Sequence, residues 1–423
     1  MNTSSRASRT ALVAGVAGAL LTAVTLSACG AASSNSGGGG AAGASSSSSS
    51  PKTSGAASAS PSASAATSAA GTPTATRSTV STPAGGPVPS GFAGTSVTFV
   101  SADEGFVLGT APCAKAPCTS ILRTLDRGAS WRGLPAPVVM LGNQYDDGSS
   151  PAVWGIRFAN PSDGFVFGNG LWETTDGGEH WTSAVLPAGS IRSLEIIDGQ
   201  VLALTTVCTP NGGCGRAGTL ERRPLAGGSW HRVAQVTGPG VIATQAKVAA
   251  VLDGSSVLIT ANGGLSTVTQ AGPCGAAEVP SPAAVAVTGP DGLALECAGE
   301  GAAGSVQKTV YVSDDLGVHW QKAGSPAYGG DPGGLSAGSA SRLVATASSG
   351  GSFLYHSGDG GARWSTAFFA GDGGLGFNDL GFTTPADGVV VYGPVFSDNN
   401  ADGRPGQLLL TSNGGASWRK VSY

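Results

Sequence analysis

The sequence predicts an all-β protein: a single β-propeller of four-stranded blades, most simply seven of them, following a disordered N-terminal tether. Three observations predict it. A boxed turn, Ser/Thr-x-Asp/Asn-x-Gly-x-x-Trp, occurs five times. The residues ahead of the boxes repeat as well, as short apolar strands separated by Asp-Gly turns. The repeat distance is that of a propeller blade.

The chain opens with a secretion signal, residues 1–28. Arg6 and Arg9 supply its positive end, and the apolar run ALVAGVAGALLTAVTL (11–26) follows. That run is too short and too rich in small residues for a comfortable membrane span. It ends in LSAC (26–29), which reads as a lipobox. Cys29 then takes a diacylglyceryl group and becomes the mature N-terminus. The expected location is the extracytoplasmic face of the cell membrane, held by lipid, since two or more acyl chains anchor stably. The plainer alternative is an ordinary cleavage site that happens to precede a cysteine.

Residues 29–90 contain the lipidated Cys29 and a tether of Ser, Ala, Gly, Thr and Pro, with Lys52 and Arg77 its only charges. Such a segment buries too little apolar surface to offset its ordering entropy. About 60 residues of this kind span roughly 45 Å on average.

The predicted propeller occupies 91–423. Its boxes are TLDRGASW (124–131), TTDGGEHW (174–181), SDDLGVHW (313–320), SGDGGARW (357–364) and TSNGGASW (411–418). The repeated positions are Asp126, Gly128 and Trp131; Asp176, Gly178 and Trp181; Asp315, Gly317 and Trp320; Asp359, Gly361 and Trp364; Asn413, Gly415 and Trp418. A decayed copy, LAGGSW (225–230), and a weaker trace, TANGGLST (260–267), complete the series. The chemistry is that of a turn. An Asp or Asn oxygen accepts backbone N–H groups two residues on, Gly supplies a positive φ, and Trp starts the next strand and covers the loop. No nucleophile stands beside a base, and catalysis needs one site rather than five, so the boxes are read as structural.

Ahead of three boxes stand VTFVSADEGFVLG (97–109), IRFANPSDGFVFG (156–168) and LGFTTPADGVVVY (380–392). Each is a strand, a turn and a second strand. A third strand leads into the box and a fourth follows it. The closing positions 131, 181, 230, 267, 320, 364 and 418 give seven units. The poorly preserved fourth, about 241–280, leaves six or eight open. A ring of blades buries both faces of every blade and leaves only short edges.

Seven cysteines include Cys29, which leaves six. Cys113 with Cys118, and Cys208 with Cys214, each flank a short strand-to-strand loop and are expected to pair outside the cell. Cys274 with Cys297 follows by elimination. Charged residues make up only 11% and net charge is −4, without a basic stripe, which argues against nucleic acid. None of the four histidines lies at ligand spacing from another His or a Cys, so zinc is not expected.

At the boxes the chain resembles the Asp-box (BNR) propellers found in sialidases, xyloglucan-type glycosidases and sortilin-like receptors. The phrase GFVFG followed by TTDGGEHW looks most like the photosystem II stability/assembly factor-like repeats. The resemblance covers about 97–423 and implies a fold more than an activity. Sialidases of this kind carry an Arg-Ile-Pro motif, three arginines on a substrate carboxylate and a Tyr–Glu nucleophile pair. This chain lacks Arg-Ile-Pro and offers Ile156-Arg157-Phe158 instead. Arg157 and Arg192 are expected on channel strands. Asp146, Asp147 and Glu195 are the carboxylates on offer for glycoside chemistry, which needs two across a cleft. No residue is assigned a catalytic role, and Arg157, Arg192 and Glu195 are read as lining a wet channel.

The boxes should mark one face of the ring. The loops joining second to third strands, and blade to blade, then mark the other. The long connection at 140–154 carries Tyr145, Asp146, Asp147 and Trp154. With Arg157 and Arg192 these form the expected binding face for a partner, either an extracytoplasmic protein or a glycan. The main reading is a non-enzymatic scaffold; the alternative is a secreted sialidase-like glycosidase or glycan-binding module. No cofactor is required. Asp398, Asn400, Asp402 and Gly403 match the first half of a calcium loop. The match fails where Leu409 replaces the bidentate Glu, and the metal-free reading of this loop is preferred.

Overall fold

A computed structural model describes residues 85–143, 150–187, 189–209, 213–238, 240–275, 281–393 and 406–423. Within them the chain forms seven antiparallel sheets in strict chain order. Blade 1 comprises Ala93–Phe99, Gly105–Thr110, Thr119–Thr124 and Arg132–Leu134. Blade 2 comprises Ala152–Phe158, Gly164–Gly168, Leu171–Thr174 and Thr182–Ser183, with Met140–Leu141 added in parallel beside its first strand. Blade 3 runs from Ser190–Ile197 to His231–Val236, and blade 4 from Ala243–Gln245 to Ser266–Ala271. Blade 5 runs from Ser281–Val287 to Gln321–Gly324, blade 6 from Asp331–Ser339 to Ser365–Gly373, and blade 7 from Phe377–Phe382 to Arg419–Lys420. The first strands of neighbouring blades lie against one another at six of the seven junctions, and those of blades 7 and 1 touch to close the ring. The predicted seven-bladed propeller is the observed fold.

The apolar side chains form seven clusters among the described residues, one at each blade junction. Strand geometry explains this. Successive side chains point to opposite faces, and here both faces are covered, so second strands read as continuous apolar runs. In GFVLGT, Phe106 and Leu108 pack toward blade 2 while Val107 packs toward blade 7. In GVVVY, Val389 and Val391 face blade 1 while Val390 faces blade 6.

Each box is held by the same three hydrogen bonds. In blade 2, Thr174 Oγ1 donates to Asp176 Oδ1 at 2.8 Å and accepts the Gly178 N–H at 3.0 Å. Asp176 Oδ1 accepts the His180 N–H at 3.0 Å. The set recurs at Thr124/Asp126, Ser313/Asp315, Ser357/Asp359 and Thr411/Asn413. The expected acceptance two residues on is corrected here. The Asx oxygen reaches four residues on, because the Ser/Thr hydroxyl already takes the glycine N–H. Gly178 has φ 91°, and its predecessor, Gly177, is also left-handed at 76°. The fourth unit departs: Thr260 Oγ1 donates to the Ser266 carbonyl instead, around the 3-10 turn Asn262–Gly264.

The box also fastens blade to blade. Trp181 donates its indole N–H to the Pro135 carbonyl at 3.1 Å, Trp230 to Val185 at 2.9 Å and Trp320 to Ala271 at 3.1 Å, each in the strand exit of the preceding blade. Trp364 and Trp418 bond their own box instead, at Gly361 and Gly415. Trp131 is 8% exposed and lies in the closure cluster, edge-on to Tyr423 at 5.5 Å.

All three expected disulfides form. Cys113–Cys118 and Cys208–Cys214 clasp the second turns of blades 1 and 3. Cys274–Cys297 ties the connection from blade 4 to the second strand of blade 5.

The junction of blades 5 and 6 buries an unusual pair. Lys308 Nζ lies within 2.8–3.1 Å of four carbonyls, those of Val306, Tyr328, Gly329 and Gly330. Glu296 is fully buried, and neither carboxyl oxygen has a hydrogen-bond partner among the described residues. Burial pushes the Glu296 carboxyl up to about 8, against the opposing pull of Lys308.

Two outcomes are expected. Trp131→Ala should cost about 3–5 kcal/mol in denaturant unfolding, and Trp181→Ala, only half-buried, clearly less; equal costs would contradict this ranking of the two junctions. A carboxyl whose folded-state value is raised contributes stability below its unfolded value near 4.5 and loses it as pH rises through about 8. Glu296→Gln should therefore melt with wild type near pH 4 and progressively above it between pH 5 and 8. A pH-independent difference would remove the assigned origin.

Candidate functional site

The channel is lined by first strands, and their register fixes which side chains meet. Thr98 of blade 1 and Arg157 of blade 2 hold the same position, opposite Phe106 and Phe165. Ser96 lies two residues before Thr98. In six of the seven first strands the pairing slips by a bulge near the loop-bearing end. The bulge skips Trp154 in blade 2 and Arg192 in blade 3, and it lies at Asp379 and Leu380 in blade 7. Bulges of this kind re-aim a side chain, and Asp379 adopts a left-handed φ of 51°.

Asp379 thereby meets Arg157 across the ring. Arg157 Nη2 donates to Asp379 Oδ1 at 2.9 Å, and Nε donates to Glu195 Oε1 of blade 3 at 2.8 Å. Nη1 donates to the Ile156 carbonyl at 2.8 Å. Asp379 Oδ2 accepts the Val97 N–H at 3.0 Å and the Ser96 hydroxyl. Ser96 Oγ in turn accepts the Ile156 N–H at 3.1 Å. Ser193 repeats that stitch toward Ile242, also at 3.1 Å. One guanidinium and two carboxylates thus bind blades 7, 1, 2 and 3 around the channel.

Each of the three charged side chains keeps 17–20% of its surface open, although the cluster lies deep in the disc. Burial opposes the charge on Arg157, but Asp379 and Glu195 outweigh it and hold the guanidinium protonated more firmly than usual. Burial is the main cause that raises the Glu195 carboxyl; Arg157 offsets it in part, and Asp379 adds to it. Two carboxyl groups thus share one guanidinium.

The expected site residues are thus dispersed. Arg157 and Glu195 meet in the channel. Arg192 lies half-buried at its bulge. Trp154 packs into the junction of blades 2 and 3 with Phe165, Phe167 and Leu171, and its indole N–H has no partner among the described residues. Tyr145, Asp146 and Asp147 lie outside the described residues, as do the calcium-loop positions Asp398, Asn400 and Asp402 and the lipidation site Cys29. Asp379 was not singled out from sequence. Its one signal is an acid inside FNDLGF, a strand otherwise read as apolar.

The two faces of the ring differ. Boxes and first turns occupy one. Second turns and blade connections occupy the other, which carries both disulfide-clasped turns and the Cys274 connection. Exposed apolar side chains also stand there, at Val138, Met140, Val185, Val207, Val241 and Tyr328.

No protein-family model matches the chain, and no curated protein matches it. Solved structures do. YCF48 bound to a D1 peptide is 17% identical at a TM-score of 0.50, over 80% of this chain and 96% of that one. YCF48 from Cyanidioschyzon merolae is 15% identical at 0.51, over 77% and 97%. A GH74 xyloglucanase from Xanthomonas campestris is 13% identical at 0.41, over 78% and 72%. At these identities the likeness to the two YCF48 structures shows the propeller fold alone.

Arg157→Met removes the cation and leaves two carboxylates facing each other. The expected loss is about 3–5 kcal/mol at pH 7, shrinking toward acid pH as the Glu195 carboxyl, raised by burial, takes up its proton. Urea unfolding at pH 7 and 4.5 measures it; a deficit equal at both would show that packing, not charge, was lost.

Proposed function

We propose that this chain is a lipid-anchored, extracytoplasmic Asp-box propeller that acts as a non-enzymatic scaffold and binds a partner on the face opposite its boxes. One observation carries the reading: all three disulfides fasten turns or connections of that face, while the boxes are spent on joining blades. Binding loops work best on a rigid support. The channel adds to the case, because Arg157 already holds two carboxylates and a carbonyl and keeps little capacity for a substrate anion. The lead for a polypeptide partner is the D1 peptide of the YCF48 structure.

A glycosidase is the second reading, favoured by Glu195 and Asp379 standing together in the channel, the Glu195 carboxyl raised by burial. A hydrolysis assay on wall polysaccharides, with Glu195→Gln as control, addresses it.

The first experiment is crosslinking in intact cells with the anchored protein as bait and Cys29→Ala as control. The variant should leave the membrane and appear in the medium. A single protein enriched only with the anchored form is the expected result. Retention of Cys29→Ala at the membrane would overturn the anchor. Polysaccharide enriched without protein would overturn the protein scaffold in favour of the glycan reading.

A further inference from the structure

The closure between blades 7 and 1 leaves a cavity of about 140 Å³ on the box-bearing face, away from the channel cluster. Its floor is apolar: Phe99, Val389 and Leu410. Its charged walls are Arg127, Arg419 and Asp387. Arg127 is already paired, its Nε donating to Asp103 Oδ1 at 2.6 Å. Arg419 is different. Its Nη2 donates to the Arg127 carbonyl at 2.5 Å, which holds the guanidinium at the cavity wall, and no carboxylate lies within ion-pair distance among the described residues. Asp387 holds one oxygen, Oδ2, against the Thr384 hydroxyl at 2.7 Å. Its other oxygen makes no hydrogen bond among the described residues, though its charge also acts on Arg127.

The cavity therefore presents an exposed guanidinium, held by one hydrogen bond to a backbone carbonyl, and a carboxylate oxygen beside apolar side chains. Counting Asp103, its charges balance, so neither a simple anion nor a simple cation is its complement. The complement is a molecule with both charges close together and a short apolar group. We propose that this cavity binds a free α-amino acid with an aliphatic side chain, its carboxylate on Arg419, its ammonium toward Asp387 and its side chain against Phe99, Val389 and Leu410. The volume is close to that of an apolar cavity that accepts one benzene ring, which suits a side chain of leucine size. A chain terminus inside a polypeptide offers only one of the two charges, so the site is assigned to free amino acid.

The test is titration calorimetry on the full chain with three probes: L-leucine, N-acetyl-L-leucine, which lacks the ammonium, and L-leucinamide, which lacks the carboxylate. Saturable leucine binding is expected, with both blocked forms at least tenfold weaker. Arg419→Gln and Asp387→Asn should each weaken leucine by at least tenfold while their melting temperatures stay within a few degrees of wild type. Absence of leucine saturation up to about 10 mM would overturn the proposal. So would a blocked form that binds as tightly as leucine. The probe comparison is made on the unmodified chain, so it stands even where a variant folds poorly.

Discussion

Seven blades that share no strand stay a ring only if side chains hold the last blade to the first. Blades 1 and 7 are each complete in themselves, built from residues at opposite ends of the described chain. Their junction has no exchanged strand to zip it shut. It relies on a cluster of Val97, Val107, Leu122, Val389, Val391, Leu408 and Leu410, capped by Trp131 and Tyr423. It also relies on Asp379, which gathers Ser96, Val97 and Arg157 from blades 1 and 2. The apolar cluster supplies area, which is non-directional. The carboxylate supplies register, because it accepts one particular backbone N–H.

The remaining junctions solve the same problem locally. A box is an eight-residue device whose Ser/Thr and Asp/Asn hydrogen bonds lie within the turn. Its product is nevertheless an inter-blade contact, since the turn brings its glycine and tryptophan onto the preceding blade. A Cβ at Gly415 would collide with Val344 of blade 6. The residue type therefore answers to two constraints at once, a left-handed φ and a close neighbour. Where the tryptophan is absent, in blade 4, the outer strand Ser266–Ala271 is nearly all exposed. The junction without a tryptophan is therefore that of blades 3 and 4, whereas the disulfide Cys274–Cys297 crosses from blade 4 into blade 5, where Trp320 also donates to Ala271.

This division also explains what could be read in advance. Boxes, strand pairs and the two short disulfide loops are local in sequence, so their spacing pointed to seven blades, with six or eight left open, and to the two faces. The Asx acceptor distance was misread because the competing hydroxyl acceptor sits upstream in the same box. Arg157 and Glu195 were legible as polar residues in channel strands. Their partner was not. Asp379 lies 222 residues from Arg157, and only ring closure brings the two together. Trp154 and Arg192 suffer from a different blindness. Both sit at bulges, where strict alternation no longer tells which way a side chain points.

The channel cluster constrains function as well as fold. A guanidinium that serves as keystone for four blades cannot also release its carboxylates for chemistry without loosening the ring. Removing one partner of a buried pair costs far more than the pair contributes, so a ligand that competed for Arg157 would act against closure. Recognition that leaves the disc intact has to use groups outside this network. Among the described residues two places meet that condition: the disulfide-braced face opposite the boxes, and the cavity at the junction of blades 7 and 1. Side chains that pack the two blades face to face fill the interior of the junction, and Arg419 and Asp387 stand at its rim.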